Sequence, residues 1–238
     1  KNISINKGVI VIFFTENELI LTFDIGTTSI KVSLYTRYLK HICTFSEEYK
    51  LDTYPGGIVE VDPEQYKTAI RNGLEKVFKN YTGNGTIRAI AITTQGETLI
   101  PVDKYGNPLM PAIVWLDSRA QKQAEELAKR IGVEEFYRTT GLPEISGALP
   151  LCKLIYIKEE LPEIYAKTEK FLLLEDYIIH WLTGKFITEK ALQCSTGYFD
   201  IINDCYWKKA LDIAGIDIDK LPVAMPCGEP VGNILSNV

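Results

Sequence analysis

A short stretch near the start of the sequence combines a carboxylate, a glycine and three hydroxyls. It reads Asp24-Ile25-Gly26-Thr27-Thr28-Ser29 and continues an apolar run that begins at Leu19. Glycine lets a ligand approach the backbone, turn N–H groups and hydroxyls donate to phosphate oxygens, and a carboxylate binds Mg²⁺ directly or through water. The stretch therefore predicts a phosphate site with Asp24 at the metal. The alternative is a simple hairpin whose Thr and Ser side chains bond their own backbone.

Two strands must position this stretch, one on each side of it. Residues 19–24 end in the carboxylate, and residues 29–35 alternate with period two. This pattern predicts two strands joined by a tight turn, with a third strand near residues 41–45. Lys31 lies on the second strand and could add positive charge to the phosphate site. The alternation directs Ile30, Val32 and Leu34 to the core and Ser29, Lys31 and Ser33 outward.

Other kinds of chemical site are poorly supported. The sequence contains no P-loop, and its crowded glycines, Gly83 and Gly85, precede a predicted strand where a dinucleotide fingerprint would follow one. The five cysteines are widely spaced, which favours buried free thiols over zinc or redox chemistry. His41 and Cys43 would be a nucleophile–base pair only with a third, orienting group, and ordinary strand side chains are the simpler interpretation.

Composition excludes several classes of function. The 238 residues are 46% hydrophobic and 24% charged, which is ordinary for a globular chain and argues against disorder. With 26 basic and 31 acidic residues, the net charge is −5 and no basic block could follow a nucleic acid backbone. The longest apolar run, Val9 to Phe14, is far shorter than a membrane span, and no signal-peptide cleavage site follows it. We therefore expect a cytoplasmic protein without nucleic acid or membrane partners.

The rest of the chain predicts a mixed α/β domain. Asp62-Pro63-Glu64-Gln65 indicates a helix start, with Asp62 as N-cap and Gln65 in a capping box. Gly83-Asn84-Gly85 ends that helix, and Gly184 is a candidate C-cap of a later one. Further predicted elements are an apolar stripe at Tyr66, Ile70, Leu74, Val77 and Phe78, strands at 87–93, 99–102, 111–114 and 171–174, and helices from Ser118, at 151–159 and at 176–182.

The chain resembles the FGGY carbohydrate kinases, which belong to the sugar kinase, Hsp70 and actin superfamily. Asp24, Gly26, Thr27, Thr28 and Ser29 match the first phosphate motif of that superfamily, D-x-G-T-T-S. The resemblance spans roughly residues 19–235 and rests on several ordered motifs. The other matching segments are 91–98 (AITTQGET), 111–120 (PAIVWLDSRA), 140–142 (TGL), 182–184 (LTG) with Thr188, and 195–200 (STGYFD).

What the resemblance implies is a ribonuclease-H-like fold, with a mixed sheet flanked by helices, and transfer of the ATP γ-phosphoryl group to a sugar or polyol hydroxyl. It assigns Asp24 to Mg²⁺ and Lys31 to the nucleotide. The residues that the resemblance assigns to phosphate contact are Gly26, Thr27, Thr28 and Ser29.

The resemblance also implies a substrate side, formed by Gln95, Gly96 and Glu97. A carboxylate such as Glu97 can accept hydrogen bonds from two neighbouring hydroxyls, although a surface Glu after a strand is the alternative. Trp115 could offer a flat wall to a sugar, or it could belong to the core. Asp117 and Arg119 could contact substrate or form a local ion pair. Gly96 stands where glycerol kinases have Arg, which opens space and favours a ketose or sugar alcohol over glycerol.

The resemblance makes residues 19–238 the N-terminal domain of such a kinase, with 1–18 as an extension or extra strand. In the family the general base is an Asp in a later G-D-N or G-D-Q block, which we expect beyond Val238. We therefore assign no catalytic residue within the chain and expect the chain alone to be inactive. A homodimer is compatible with the family. The competing hypotheses are a non-catalytic phosphate-binding regulatory module of the same fold and an actin- or Hsp70-like ATPase.

Overall fold

The structure, a computed structural model, describes residues 17–236. The elements in chain order are β1 (Glu18–Ile25), β2 (Ser29–Thr36), β3 (His41–Glu48), β4 (Asp52–Tyr54), β5 (Ile58–Val61), α1 (Glu64–Asn80), β6 (Thr86–Thr94), β7 (Leu99–Val102), β8 (Ala112–Ile113), α2 (Gln121–Ile131), α3 (Val133–Thr140), α4 (Pro150–Glu160), α5 (Pro162–Lys167), β9 (Lys170–Leu173), α6 (Leu174–Thr183), β10 (Ile187–Glu189), α7 (Lys190–Gln193), β11 (Phe199–Asp200), β12 (Cys205–Tyr206), α8 (Lys208–Ala214), a 3₁₀ turn (Ile218–Lys220) and β13 (Val223–Met225).

Three predictions concern parts of the sequence at or beyond the two ends of this range. The apolar run from Val9 to Phe14 and residues 1–16 of the predicted extension over 1–18 lie outside the described residues, while Glu18 is the first residue of β1. Val238 also lies outside them, so the general base expected beyond Val238 stays a prediction.

The first sheet has the order β3-β2-β1-β6 and holds the predicted phosphate hairpin. β1 and β2 pair antiparallel, with Asp24 opposite Lys31, and β1 pairs parallel with β6. Alternate β1 residues from Leu19 to Ile25 are buried, as expected of a strand with one face on a core. The predicted three-strand meander is confirmed, with one correction. Ser33 is buried, because its hydroxyl accepts a hydrogen bond of 2.8 Å from Thr44.

The second sheet has the order β4-β5-β8-β7-β9. Its strands β8, β7 and β9 are almost entirely buried on both faces, while β4 at the edge is largely exposed. Neighbouring residues of β7 belong to different hydrophobic clusters, Leu99 to one and Ile100 to the other. This follows from the period-two geometry of a strand, which sends successive side chains to opposite faces. The sheet therefore separates a core beneath the first sheet from a core built by α2, α4 and α8.

Helix α1 begins at Glu64, one residue later than expected with Asp62 as its N-cap. Asp62 Oδ1 accepts a hydrogen bond from the Glu64 N–H at 3.0 Å, so Asp62 caps the first turn as predicted. Gln65 does not complete a capping box, because its Oε1 accepts from the Lys50 N–H instead. In the predicted stripe Tyr66, Ile70 and Val77 are buried and Leu74 is half-buried, but Phe78 is 54% exposed.

Several short elements were not predicted. The strands of the β4–β5 hairpin are only three and four residues long, and its Glu60 is held by an ion pair with Arg119. The helix expected from Ser118 begins at Gln121, because two turns precede it, one closed by Asp117 N–H to Val114 O and one by Gln121 N–H to Ser118 O. Gly184 has φ +73° and is the predicted left-handed C-cap of α6. None of the helices that the structure describes is long and apolar enough to cross a membrane.

Helix α1 packs on the hairpin sheet through a glycine. A Cβ built on Gly73 would lie 2.5 Å from Cγ2 of Val32 and 3.0 Å from its Cβ, and both residues are buried. Alanine ordinarily stabilises a helix by about 1 kcal/mol relative to glycine. Here the missing space outweighs that gain, because overpacking a core costs about 1–3 kcal/mol.

We therefore expect Gly73→Ala to lower the free energy of unfolding by about 1 kcal/mol or more, measured by urea denaturation. Asn72→Ala, at the adjacent exposed helical position, is the matched control and should be neutral or slightly stabilising. A Gly73→Ala chain as stable as the unmutated one would contradict this account of the α1–β2 packing.

Candidate active site

The predicted phosphate stretch forms a closed turn at the end of β1. The Gly26 N–H donates to Ser29 O at 3.0 Å, and a Cβ on Gly26 would lie 3.3 Å from that same oxygen. Lys31 Nζ donates to Asp24 Oδ2 at 3.2 Å, and both side chains are about half exposed. An exposed pair of this kind is weak, contributing at most about 1 kcal/mol. Both charges therefore remain available to a ligand at the turn.

Tyr49, which the sequence analysis missed, holds this turn from behind. Its hydroxyl donates to Gly26 O, and its backbone N–H donates to Thr28 O at 3.2 Å. Its ring packs edge-on against Tyr66 with the ring centroids 5.0 Å apart. Burial raises the pKa of both phenols, which stay protonated and able to donate. The turn is thus supported by a fully buried Tyr66 and a half-buried Tyr49. Tyr66 belonged to the predicted apolar stripe of the helix, whereas Tyr49, which follows β3, was not singled out.

Gln95 connects the end of β6 to the same turn. Its backbone N–H donates to Ile25 O at 2.8 Å. Its Nε2 makes long hydrogen bonds to the hydroxyls of Tyr49 and Tyr66, at 3.5 and 3.4 Å, while Oε1 is buried without a hydrogen-bond partner in the described part of the chain. The structure therefore places Gln95 among the groups that support the turn, and its predicted contact with substrate stays a prediction.

Glu97 follows Gln95 in a tight, left-handed turn. Its φ is +62°, a conformation that non-glycine residues seldom adopt, and the Thr98 N–H closes the turn on Gly96 O at 2.8 Å. Burial raises the pKa of the Glu97 carboxyl, while the Lys153 charge and a hydrogen bond with Ser195 act in the opposite direction. A Cβ on Gly96 would lie 3.6 Å from Ser195 Oγ and 4.0 Å from Leu192 Cδ1, which is ordinary van der Waals contact, so the position has room for a methyl group.

Trp115 lies between the Glu97 turn and the phosphate turn. Its indole Nε1–H donates to Thr27 Oγ1 at 3.2 Å, and its backbone N–H donates to Thr98 Oγ1 at 3.2 Å. The side chain is 38% exposed, so it is not part of the core. The residue predicted to face a sugar therefore contacts a residue predicted to face phosphate.

Asp117 and Arg119 form the local ion pair that was one of the two open interpretations. Arg119 Nη2 donates to Asp117 Oδ2 at 2.8 Å and to Glu60 Oε1 at 2.7 Å. Asp117 Oδ2 also accepts from the Val59 N–H at 2.7 Å, and Asp117 has no exposed surface. The pair ties the β4–β5 hairpin to the segment after Trp115, and contact with substrate stays a prediction.

A second residue missed by the sequence analysis is Lys153 on α4. It is fully buried, and its Nζ donates to Val114 O at 2.9 Å and to Glu97 O at 3.3 Å. Burial lowers the pKa of Lys153 to about 8, although the negative charges of Asp117 and Glu97 act to raise it. A lysine inside the apolar stretch Leu151–Ile157 was the available signal, because helical periodicity puts that position on the core face.

The cysteines and histidines form no second site. All five cysteines are free, but the prediction that they are buried is correct only for Cys152, since Cys205 and Cys227 are exposed and the other two are half-buried. His41 Nε2 hydrogen bonds with Thr44 Oγ1 at 2.8 Å and its ring packs on Tyr35, which fits an ordinary strand residue. Among residues 17–236, no group of three His, Cys, Asp or Glu side chains is arranged to hold a metal ion.

The residues of the turn fit a magnesium–phosphate ligand. Mg²⁺ in nucleotide sites commonly takes one or two protein carboxylates, with phosphate oxygens and waters as its other ligands. Asp24 supplies one half-exposed carboxylate at the end of β1, and Thr27, Thr28 and Ser29 supply hydroxyls beside it. The site would therefore hold the metal together with a phosphate chain.

Comparison with known proteins agrees with this geometry. The profile of the "FGGY family of carbohydrate kinases, N-terminal domain" matches residues 19–238. The chain is 27% identical to the xylulose kinase of Staphylococcus xylosus, over 92% of this chain and 45% of that protein. It is 29% identical to the gluconokinase of Bacillus subtilis, over 88% of this chain and 40% of that protein. The chain thus spans less than half the length of these relatives.

Solved structures share the fold. The crystal structure of Plasmodium falciparum glycerol kinase with ADP superimposes with a TM-score of 0.86 at 26% identity, covering 92% of this chain and 45% of that one. The mixed α/β, sugar-kinase-like fold expected from the sequence is therefore confirmed. The chain belongs to the FGGY family of carbohydrate kinases, and its residues 19–238 are the N-terminal domain of that family.

Proposed function

We propose that this chain forms one wall of the cleft of an ATP-dependent kinase that phosphorylates a sugar or polyol. The observation that carries the proposal is the 3.2 Å hydrogen bond from Trp115 to Thr27. It joins a flat aromatic side chain suited to a sugar to a hydroxyl suited to phosphate. Phosphoryl transfer consists mainly of holding an acceptor hydroxyl in line with a phosphate, so the two sites must adjoin.

On the phosphate side, the turn residues would hold the ATP phosphates. Thr27, Thr28 and Ser29 would donate their hydroxyl hydrogens to phosphate oxygens, and Lys31 would offset negative charge. Asp24 would hold Mg²⁺, which when bound neutralises charge on the phosphates. Because Trp115 donates to Thr27 Oγ1, the hydroxyl hydrogen of Thr27 is left free for a phosphate oxygen.

On the sugar side, Glu97 would accept hydrogen bonds from two neighbouring hydroxyls while Trp115 covers an apolar face of the ring. Relatives are named xylulose kinase, gluconokinase and glycerol kinase. The absence of a side chain at Gly96, where a Cβ would already contact Ser195, supports a substrate larger than glycerol. We therefore propose a ketose or a sugar alcohol.

The general base is not placed on any carboxylate described above. We propose that the general base lies beyond Val238, in the part of the family's sequence that follows this domain. A cytoplasmic location and a homodimer also remain part of the proposal.

The direct test is ADP release by the full-length protein that contains this chain, with Mg²⁺, ATP and a panel of pentuloses, hexuloses, polyols and glycerol. We expect turnover of at least one ketose or sugar alcohol, and its loss in Asp24→Asn, which keeps the shape of the side chain but removes the charge that binds the metal. The 238-residue chain assayed alone should be inactive. Absence of turnover with every acceptor would refute the kinase and favour a non-catalytic phosphate-binding module.

The Trp115–Thr27 hydrogen bond makes a separate prediction. Trp115→Phe keeps a flat ring but removes the donor, and a hydrogen bond worth about 0.5–1.5 kcal/mol corresponds to a loss of about 2–10-fold in kcat/KM for the sugar. In a Thr27→Val background the same change should cost nothing further, because the acceptor is already gone. Trp181→Phe on α6 is the matched control and should leave kcat/KM unchanged. Fully additive losses in the double variant would contradict the proposed role of this bond.

A further inference from the structure

A fully buried lysine contacts both segments that form the proposed sugar side. Lys153 lies on α4, and its Nζ donates to the carbonyl oxygens of Glu97 and Val114, at 3.3 and 2.9 Å. Val114 directly precedes Trp115 in the chain. An ammonium group removed from water is costly unless hydrogen bonds and opposite charges replace its hydration. At a position with no task at the site, an apolar side chain of similar length would fill the same space at lower cost.

Of the two backbone segments that Lys153 contacts, the one at Glu97 is strained. Glu97 has φ +62°, and non-glycine residues persist in this region only where the surroundings force them. The hydrogen bond from Lys153 to Glu97 O is one such restraint, and the Thr98 N–H to Gly96 O bond is another. Thr98 in turn accepts from the Trp115 N–H through its hydroxyl. The Glu97 turn and the Trp115 segment are therefore fixed to one another through α4.

The charges around Lys153 show how it also acts on the Glu97 carboxyl. The charged and titratable groups that face its ammonium are Asp117, Glu97, Arg119 and Cys152. Asp117 is already paired with Arg119 at 2.8 Å, and burial raises the pKa of the Cys152 thiol to about 12, so that thiol carries no charge. Within the described residues, the Lys153 charge and a hydrogen bond with Ser195 lower the Glu97 pKa against the desolvation that raises it.

We propose that Lys153 is a positioning residue for sugar binding, which fixes the backbone of the Glu97 turn and of the Trp115 segment. The inference rests on the proposed kinase function. Lys153 has no exposed surface, so it acts through Glu97 and Trp115 and does not touch substrate itself. The competing view is that Lys153 only stabilises the fold.

The test is Lys153→Met in the full-length protein, which preserves length and removes both the donors and the charge. The Glu97 carbonyl loses its lysine donor, and Val114 O keeps only its hydrogen bond from the Asp117 N–H. We therefore expect KM for the sugar to rise about tenfold or more while KM for ATP changes less than about twofold. Lys158→Met is the matched control. Lys158 lies on the same helix and donates to Gly215 O, away from the cleft, and its loss should leave both constants unchanged.

The pH profile separates a positioning role from a merely structural one. Without the Lys153 charge the Glu97 pKa rises, so Glu97 is protonated at higher pH. We therefore expect the acid limb of kcat/KM for the sugar to move to higher pH in Lys153→Met. Glu97→Gln should abolish that limb and so identify it. If Lys153→Met does not fold, Lys153→Gln retains an N–H donor but lacks the charge and should shift the limb in the same direction.

The outcomes distinguish this inference from the proposed function. If the unmutated protein phosphorylates no acceptor, the proposed function fails and Lys153 has no sugar side to position. If the unmutated protein is an active kinase and a folded Lys153 variant keeps its sugar KM and its acid limb, the inference is overturned. An increase in KM for ATP equal to that for the sugar would overturn it as well, because the effect would then not be confined to the sugar side.

Discussion

The parallel pairing of β1 with β6 is the constraint on which the whole site depends. Asp24 lies opposite Thr93 and Ile25 opposite Thr94, so both strands end at the same edge of the sheet. Strand β1 continues into the phosphate turn and strand β6 into Gln95 and Glu97. The 2.8 Å hydrogen bond from the Gln95 N–H to Ile25 O keeps the two strand ends together. Segments far apart in the sequence thereby become neighbours in one cleft. Any sequence that kept both motifs but lost this pairing would separate them.

The site is stabilised by buried and half-buried polar groups of opposite charge. Arg119 is shared between Asp117 and Glu60, and Lys153 satisfies two backbone carbonyls while facing Asp117 and Glu97. Such groups are expensive to bury and contribute little to net stability, but removing one member leaves an uncompensated charge or carbonyl. This cost is consistent with a requirement for fixed geometry at the site. The Tyr49–Tyr66 pair meets the same requirement beneath the phosphate turn, with neutral donors in place of charges.

The sequence was sufficient to predict the parts of the site that are local. Asp24 to Ser29 read as a turn between alternating strands because both the apolar period and the glycine lie within a few residues. Lys153, Tyr49 and the β4–β5 hairpin could not be assigned in this way, because each owes its role to partners distant in the sequence, such as Gly26 for Tyr49 and Glu97 for Lys153. The alternatives for Asp117 and Arg119 were open for the same reason, since Glu60 and Val59 come from a distant strand. The predictions that Ser33 is exposed and that Phe78 is buried were wrong, because a periodic pattern assigns a residue to a face of its element but does not show what covers that face.

The central claim is that one cleft holds phosphate at the β1–β2 turn and sugar between Glu97 and Trp115. A crystal structure of the full-length protein with Mg²⁺, a non-hydrolysable ATP analogue and the sugar that it phosphorylates tests this most directly. The account predicts a terminal phosphate bonded to the hydroxyls of Thr27 and Thr28, the metal at Asp24, and sugar hydroxyls bonded to the Glu97 carboxylate with the ring against Trp115. A nucleotide seated away from the turn, or a sugar out of contact with both Glu97 and Trp115, would contradict it.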